Sequence, residues 1–404
     1  MTDRMVVTGI GVLTPTGVGV DEFWSATLAG RSAIAPVERF DTDSYSVQLC
    51  GAVTGIDPAA ELPGRYLPQT DHMTRLALVA AEWALADAGV DPQTLPEFEM
   101  GVVTASSAGG FEFGQRELQK LWGRGNRFVS AYQSYAWFYA VNTGQISIRH
   151  GMRGPSGVVV SEQAGGLDAL AQARRHLRRD CRLVLAGGVD SNLCPWGWIA
   201  QIAGGGLSFG TDPDRAYLPF SEEASGSIPG EGGALLITEN AESAELRGAR
   251  RRYGELTGFG TAFDPAPVSG RPPNLRRAID RALADAGIGP DDIDVVFADA
   301  SGVPEHDRVE ADALATVFGP SGVPVTAPKA GTGRLSAGAG AVDVVTALLS
   351  LRDQVIPPTP NVDRPAPGYG IDLVTGEPRA SVLRNALVLA RGHGGFNAAA
   401  VLGR

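Results

Sequence analysis

Cysteine is scarce in this 404-residue chain, which contains only Cys50, Cys181 and Cys194. Their positions match neither the paired spacing of a zinc site nor the even number that a disulfide framework requires. None is expected at a sharp strand-to-helix turn, where a thiolate would be exposed and stabilised. We therefore expect three reduced, structural cysteines, and nothing in the sequence calls for a metal ion or an organic cofactor.

Positive charge is also in short supply. The chain has 34 lysines and arginines against 45 aspartates and glutamates, a formal net charge of −11 at pH 7. Nonspecific affinity for nucleic acid depends on clustered Lys and Arg that neutralise phosphates, so we expect no nucleic-acid partner. Charges such as Asp343 interrupt the apolar runs, and residues 1–11 lack the pattern of a secretory leader. We expect a cytoplasmic protein without membrane contact.

What the chain does have is an internal repeat. The segment ALADAGVDP at 84–92 recurs as ALADAGIGP at 282–290. In both copies apolar residues at helical spacing precede the motif, and Gly89 or Gly287 stands where a helix C-terminus favours a residue that tolerates positive φ. Two helices are therefore predicted to end in the same way.

Three further pairs of segments resemble each other in the same order along the chain. They are 6–11 with 255–260, 100–107 with 295–301, and 183–188 with 386–392. Four ordered pairs predict two homologous α/β halves, which we place at 1–250 and 251–404 with the seam near 240–255. The short apolar strands are typical of sheets buried on both faces, so helices must cover each sheet in a layered α/β/α/β/α body.

A strand–turn–helix elbow lies in the first half. The apolar run 158–160 leads through Ser161 and Glu162 to Gln163, and the helical run 167–173 follows. Such a turn lifts one side chain to the sheet edge and aims a helix N-terminus at it, where backbone N–H groups stabilise a thiolate or an oxyanion. Gln163 is expected at that exposed position, and its amide is no useful nucleophile. The elbow is that of a nucleophilic enzyme, but the nucleophile is missing.

Together with the segments 229–233, 329–334 and 392–397, this elbow resembles the β-ketoacyl synthases of the thiolase superfamily over essentially the whole chain. The resemblance implies a five-layer thiolase-like fold, with 1–250 and 251–404 as the N-terminal and C-terminal halves. Gln163 within the segment SEQAGG looks like the chain length factors, or ketosynthase β subunits, of bacterial type II aromatic polyketide synthases.

The resemblance also implies what has been lost. A decarboxylating ketosynthase uses one cysteine to carry the acyl chain and two histidines to stabilise the charge that develops as the malonyl carboxylate is lost as CO2. Gln163 stands at the cysteine position, Ser301 and Arg334 stand at the two histidine positions, and Lys329 matches the family lysine. Losing several members of one catalytic unit removes most of the rate, so this chain is not expected to elongate acyl chains alone.

Other residues near these positions have two interpretations. Lys329 can serve as a structural ion-pair partner. His306 could replace a lost histidine, but its polar surroundings favour a solvated loop position, and His393 is an alternative acid. Glu231, in a glycine-flanked turn, is interpreted as a hydrogen-bonding brace.

One predicted helix fits a role in setting chain length. Between 110 and 122, Phe111, Gly114, Leu118 and Trp122 share one face, and charged residues share another. Such a stripe is often simply core, but in the family the corresponding helix supplies tunnel gates. The missing side chain at Gly114 and the moderate Leu118 would leave room for a long product of about ten or more acetate-derived units. Tyr135 and neighbouring aromatic residues are a second candidate for tunnel wall or interface.

The resemblance implies two partners, a catalytic ketosynthase α subunit in an obligate heterodimer and an acyl carrier protein that bears the malonyl or polyketide chain. Two rival functions remain open at this point. Gln163 could support decarboxylation of malonyl-carrier protein, because the helix N-terminus survives, or the chain could be a scaffold that only stabilises its partner. An ordinary homodimeric condensing enzyme does not fit the missing cysteine and histidines.

Overall fold

The computed structural model describes residues 4–179 and 181–404. Its α-helices are α1 (Val20–Leu28), α2 (His72–Ala88), α3 (Phe111–Arg124), α4 (Val141–His150), α5 (Gly165–Leu177), α6 (Pro195–Gly204), α7 (Ala241–Leu246), α8 (Leu275–Ala286), α9 (Pro304–Phe318) and α10 (Ala339–Asp353). Its strands are β1 (Met5–Thr14), β2 (Gly17–Val18), β3 (Ile34–Pro36), β4 (Leu49–Gly51), β5 (Met100–Ala105), β6 (Ser156–Val159), β7 (Leu183–Asp190), β8 (Gly232–Asn240), β9 (Gly254–Phe263), β10 (Val295–Phe297), β11 (Pro324–Thr326), β12 (Val355–Ile356), β13 (Asp372–Leu373), β14 (Arg379–Ala380), β15 (Asn385–Gly392) and β16 (Phe396–Gly403). None of the helices within these described ranges is both long and apolar enough to cross a bilayer.

The main sheet has the strand order β13-β11-β10-β15-β16-β9-β1-β8-β7-β5-β6, with β2 beside β1. Strand β5 runs parallel to β6 and β7, and β10 runs parallel to β11 and β15. Strands β8 and β16 are antiparallel to their neighbours. From the centre outward, β1-β8-β7-β5-β6 therefore matches β9-β16-β15-β10-β11, as two homologous halves require.

Helices cover the sheet in the predicted layers. Helices α5 and α10 lie in the middle and contact strands of both halves. Every residue from Ala339 to Leu351 in α10 is buried, as expected for a helix packed between two sheet faces. Helices α2 and α4 cover the outer face of the first half, and α8 and α9 cover that of the second. The five-layer α/β/α/β/α prediction is confirmed.

The repeated segments make the same contacts in both halves. Asp87 accepts a hydrogen bond from the backbone N–H of Ile10 at 2.9 Å, and Asp285 accepts one from Phe259 at 2.8 Å. Each aspartate thus ties its helix to the first strand of its own half. The helices α2 and α8 end as predicted at left-handed glycines, with φ of 62° at Gly89 and 70° at Gly287. The sequence repeat is therefore a repeat of tertiary contacts.

The two halves share one continuous sheet, which the sequence did not predict. Met5–Val7, at the start of β1, pairs with Gly254–Leu256 of β9. Strand β1 is ten residues long and also pairs with β8 along its other edge. The central junction is therefore only three residue pairs wide, and the middle helices hold the rest of the two halves together.

Cys194 lies before a helix but is buried, so it is not the exposed thiolate whose absence was expected. It lies between β7 and α6 and is the N-cap of α6, where its Sγ accepts from Gly197 N–H at 3.4 Å. The side chain is buried, and burial raises the pKa of the Cys194 thiol to about 11. A thiol in this state is a capping group and a poor nucleophile, which agrees with the expected structural role.

Candidate functional site

The elbow forms as predicted, but its central side chain is buried. Strand β6 ends at Val159, a 3₁₀ turn covers Glu162–Ala164, and α5 begins at Gly165. Glu162 has a left-handed backbone with φ of 51°. Gln163 is only 4% exposed, so the expectation of an exposed position is wrong for the chain on its own. The buried amide has a polar partner within the turn.

That partner is Glu162. The Gln163 amide Nε2 donates to Glu162 Oε1 at 3.1 Å, and the backbone N–H of His393 donates to Glu162 Oε2 at 3.0 Å. Glu162 therefore joins the elbow to the loop between β15 and β16. The His393 side chain itself is exposed. Sequence reasoning did not assign a role to Glu162, although it directly precedes the residue at the nucleophile position.

Ser301 lies in the loop after β10 and is committed to local hydrogen bonds. Its hydroxyl donates to Asp307 Oδ1 at 3.3 Å and accepts from the backbone N–H of Val303 at 3.1 Å. Asp307 also accepts from the backbone N–H groups of Gly302 and Phe220. A hydroxyl held in this way stabilises the turn into α9 and cannot take over the chemistry of an imidazole.

His306 belongs to a helix, contrary to the loop expected from sequence. It lies in the first turn of α9, which begins at Pro304, and its side chain is exposed. Partial burial and the positive charge of Arg391 lower the pKa of His306. The helix could have been predicted from the proline, because proline is favoured at the first helical position.

Arg334 is locked in an ion pair. Its two terminal guanidinium nitrogens donate to the Asp299 carboxylate at 3.1–3.2 Å and to the backbone oxygens of Asp299 and Arg391. Burial alone would lower the pKa of Arg334, but the negative charge of Asp299 outweighs it and raises the pKa. A permanent cation cannot act as a proton donor or acceptor in catalysis. Because both terminal nitrogens of Arg334 already donate to Asp299, few N–H groups remain to stabilise a developing oxyanion.

Lys329 forms a second buried ion pair. Its Nζ lies 2.6 Å from Asp343 Oδ2 of α10, and both side chains are buried. Burial raises the pKa of Asp343 to about 6, even though the charge of Lys329 works in the opposite direction. Lys329 can therefore serve as a structural ion-pair partner of Asp343.

Three of the four positions taken from the family resemblance, Ser301, Lys329 and Arg334, lie near Asp299. Burial would raise the pKa of Asp299, but the charges of Arg334 and Lys329 outweigh it and lower the pKa. Ser301 is two residues further along the same loop. The negative charge of Glu162, at the elbow, contributes to the raised pKa of Arg334. Asp299 was not singled out from the sequence, because its importance comes from partners distant in the chain.

The helix α3 carries the predicted stripe, but the stripe is not core. Trp122 is 82% exposed, and Phe111 and Leu118 are only partly buried. An open cleft of about 560 Å³ runs beside the helix. It is lined by Gln115, Leu118, Gln119, Trp122, Gly123 and Trp196. Within residues 4–179 and 181–404, no segment covers Trp122 or closes this cleft.

Gly114 does not leave empty room. A Cβ atom at this position would lie 3.1 Å from Trp196 Cζ3 and 3.5 Å from Trp137 Cβ. The Trp196 ring also stacks on Phe111, with ring centroids 4.7 Å apart and planes 11° from parallel. The space that the missing side chain would occupy is therefore closed by a tryptophan of α6, which the sequence did not predict because Trp196 is far along the chain.

The aromatic segment continues the same surface. Tyr135 is partly buried and its hydroxyl donates to Gln69 Oε1 at 2.8 Å. We define the α3–α6 face as the exposed apolar side chains of α3, α6 and the segment between α3 and α4. They are Trp122, Phe128, Tyr132, Trp137, Phe138, Trp196 and Ile199. Large exposed apolar side chains gathered on neighbouring elements are typical of interaction sites in soluble proteins.

An open sheet edge lies at the end of the first half. Strand β6 is the outermost strand on that side and pairs with β5 alone among the described residues. Its residues are partly or fully exposed, and Val160 directly after it is 46% exposed. An unpaired edge is able to add a strand from another chain.

Family models match the two halves separately. The β-ketoacyl synthase N-terminal domain matches residues 2–243, and the β-ketoacyl synthase C-terminal domain matches residues 253–363. The tetracenomycin polyketide synthase ketoacyl synthase beta subunit of Streptomyces glaucescens is 60% identical over 401 residues. That match covers 99% of this chain and 98% of the relative.

Solved structures agree with the sequence comparisons. The ishigamide ketosynthase/chain length factor is 25% identical with a TM-score of 0.89. A type II polyketide synthase acyl-carrier protein in complex with its ketosynthase, bound to the hexaketide, contains a chain that is 28% identical with a TM-score of 0.88. Each match covers 99% of this chain and 98% of the other.

Proposed function

Because the chain belongs to the β-ketoacyl synthase family, as a ketosynthase β subunit or chain length factor, we propose that it pairs with a catalytic ketosynthase α subunit and shapes the tunnel that limits polyketide length. In this role the chain elongates nothing itself. Its partner supplies the reactive cysteine, and an acyl carrier protein delivers malonyl units and holds the growing chain.

The observation that carries the proposal is the occupation of the reaction centre by structural contacts. Gln163 is tied to Glu162, Ser301 to Asp307, and Arg334 to Asp299. None of these side chains is a reactive nucleophile or a free proton donor. The groups that the family uses to form the carbon–carbon bond are therefore missing here. A fold retained without its chemistry is expected to act through its shape.

Two surfaces support a partner of similar fold. The β6 edge is open to another strand. The α3–α6 face, in the same half of the chain as the elbow, exposes large apolar side chains. Aromatic residues concentrate in the cores of stable interfaces, and a cleft closed by a second chain becomes an enclosed tunnel. Phe111, Leu118 and Tyr135 then form its wall, while Gly114 gives Trp196 its position.

We also infer that the protein works in the cytoplasm and that its halves divide at 250/251, between α7 and β9. Support for the compartment comes from Cys50 and Cys194, which are free thiols. Proteins of oxidising compartments usually pair their cysteines.

Co-expression with a ketosynthase α subunit of a type II polyketide synthase tests the proposal. We expect the two chains to purify in equal amounts, and the pair, given acyl carrier protein and malonyl groups, to make polyketide that neither chain makes alone. Trp122→Glu should weaken association roughly tenfold or more, because it puts a charge into the proposed interface core. Leu246→Glu is the matched control, since Leu246 is equally exposed, at 83%, but lies on α7 outside that face.

Two outcomes contradict the proposal. One is an isolated chain that forms an acyl adduct and lengthens it by two carbons. The other is a Trp122→Glu variant that associates as tightly as the Leu246→Glu control. If the isolated chain instead converts malonyl-carrier protein to acetyl-carrier protein with release of CO2, and Gln163→Ala abolishes this, decarboxylation becomes its function.

A further inference from the structure

One buried carboxylate caps two helices at once. Asp71 precedes α2 and is 1% exposed. Its Oδ1 accepts from the backbone N–H of Met73 at 2.9 Å, which is the N-cap bond of α2. Its Oδ2 accepts from the backbone N–H of Phe113 at 2.7 Å, in the first turn of α3. Both oxygens are thus used on helix N-termini that are distant in the sequence.

Helix α3 has no cap of its own. The first N–H groups of any helix lack intrahelical partners and are usually satisfied by the residue at the N-cap. In α3 that residue is Gly110, which makes no side-chain cap bond. Its missing side chain also lets Asp71 approach, because a Cβ at Gly110 would lie 3.1 Å from Asp71 Cβ and 2.2 Å from Ala136 O. Asp71 therefore supplies from outside the cap that α3 lacks.

The segment that carries Asp71 also holds the aromatic residues beside α3. Gln69, two residues earlier, accepts from the hydroxyl of Tyr135 at 2.8 Å. The backbone N–H of Gly110 donates to Trp137 O at 3.0 Å, which ties the start of α3 to the same aromatic segment. These contacts hold the start of α3, while Gln115 and Glu117 further along the helix accept from the backbone N–H groups of Trp196 and Ser130.

We propose that Asp71 is a positioning residue for chain length, which fixes the start of α3 and thereby the depth at which Leu118 and the Gly114–Trp196 contact meet the growing chain. This inference rests on the proposed function. It places the control of product length partly outside the tunnel wall, in a carboxylate that touches no substrate.

Serine at position 71 separates the two roles of the aspartate. Serine is a good N-cap, so Asp71→Ser retains the bond to Met73 N–H, but its side chain is too short to reach Phe113 as well. Asp294→Ser is the matched control, because Asp294 also accepts two backbone N–H groups, those of Arg384 and Asn385, in the other half of the chain. Both variants lose carboxylate–backbone bonds, but only one loses a bond to α3.

The experiment uses the full heterodimer and measures two quantities. In Asp71→Ser, hydrogen exchange at the Phe113 amide should rise many-fold, and the fraction of product of non-parental length should rise several-fold while the heterodimer still forms. Asp294→Ser should change neither quantity. If Asp71→Ser does not fold, Asp71→Asn serves instead. The asparagine keeps one oxygen that can accept a hydrogen bond, but its NH2 group replaces the second oxygen and cannot accept from the other backbone N–H.

The outcomes separate this inference from the proposed function. Leu118→Trp is tested in parallel as a change in the tunnel wall. If it alters product length and neither Asp71 variant does, the positioning role is wrong and the proposed function stands. If no variant at any of these positions alters length, the tunnel function fails. A uniform loss of rate at parental product length in both Asp71→Ser and Asp294→Ser would reduce Asp71 to a stabilising residue.

Discussion

Arg334 and Asp299 form an ion pair in which both terminal guanidinium nitrogens of the arginine donate to the carboxylate. Their side chains are 12% and 2% exposed. Removal of one partner from a buried pair leaves an uncompensated charge in a medium of low dielectric constant. We therefore expect Arg334→Ala to lower the free energy of unfolding by about 3–5 kcal/mol in urea denaturation.

Arg116→Ala is the control for that measurement. Arg116 pairs with Glu112 on the surface of α3 at 3.0 Å, with side chains 45% and 34% exposed. Exposed pairs contribute at most ~0.5–1 kcal/mol. Equal losses in the two variants would show that the Arg334 pair is no stronger than a surface pair.

Restoring the family residues should not restore elongation. Gln163→Cys supplies a thiol, but Arg334 and Ser301 still occupy the positions of the two histidines. The triple change with Ser301→His and Arg334→His removes the main partner of Asp299, so we expect an unstable chain with no elongation. Mass spectrometry of the isolated variants after incubation with acyl and malonyl carrier protein checks both. An adduct lengthened by two carbons in Gln163→Cys alone would contradict this prediction.

The fold could be predicted from the sequence because its signals are local and repeated. The motif around Asp87 and Asp285, the left-handed glycines that end α2 and α8, and the short apolar strands are each contained in a few residues. Equivalent segments in one order then determine equivalent strand positions. The pairing of β1 with β9 has no such local signal, because it depends on how the two halves dock.

The site was predictable only in part. The sequence pattern identifies the elbow and the positions of Ser301, Lys329 and Arg334. It does not identify the residues that these side chains contact in the fold. Asp299 and Glu162 acquire their roles from charges brought in by folding. Gly114 shows the same limit, because its missing side chain suggested free volume, and only tertiary packing reveals that Trp196 fills it. The local sequence shows that Gly114 has no side chain, but it does not show which distant residue fills the space.

The cleft beside α3 predicts how product length responds to substitution. Leu118→Trp fills the cleft directly, so in the reconstituted heterodimer it should shorten the product by one or more acetate units, as read by mass spectrometry of the products. Arg116→Ala, on the charged face of the same helix, should leave product length unchanged. Unchanged length in Leu118→Trp would exclude this helix from the tunnel wall.

Gly114→Phe is expected to behave differently from Leu118→Trp. Even a Cβ atom at Gly114 lies in close contact with Trp196, so a phenyl ring must displace that indole from its stack on Phe111. Forcing extra atoms into packed surroundings typically lowers stability by about 1–3 kcal/mol. We therefore expect a lower melting temperature together with a changed product length. Double substitution with Trp196→Ala should recover part of the stability, and no recovery would show that the two side chains do not compete for space.

Glu231 predicts the response of stability to acid. It is fully buried and accepts from Arg39, from the Ser191 hydroxyl at 2.5 Å and from the backbone N–H of Val53 at 3.0 Å, with His72 3.4 Å away. Burial alone would raise the pKa of Glu231, but His72, Arg39 and Ser191 outweigh it and lower the pKa from 4.5 to about 2. The brace predicted from the sequence is thus an ionised one.

A carboxylate whose pKa is lower in the folded state stabilises the fold fully above its unfolded pKa and loses that effect as pH falls toward the folded value. The contribution of Glu231, ~3 kcal/mol from the size of the shift, should therefore be present at neutral pH and decline from about pH 4.5 to about pH 2. Glu231→Gln should be less stable than the parent at pH 7 in urea denaturation, and the difference should shrink as pH falls through that window. Glu61→Gln, at an exposed position, should match the parent within about 0.5 kcal/mol. A Glu231→Gln difference that stays constant down to pH 3 would show that the lost contacts, and not the charge, stabilise the fold.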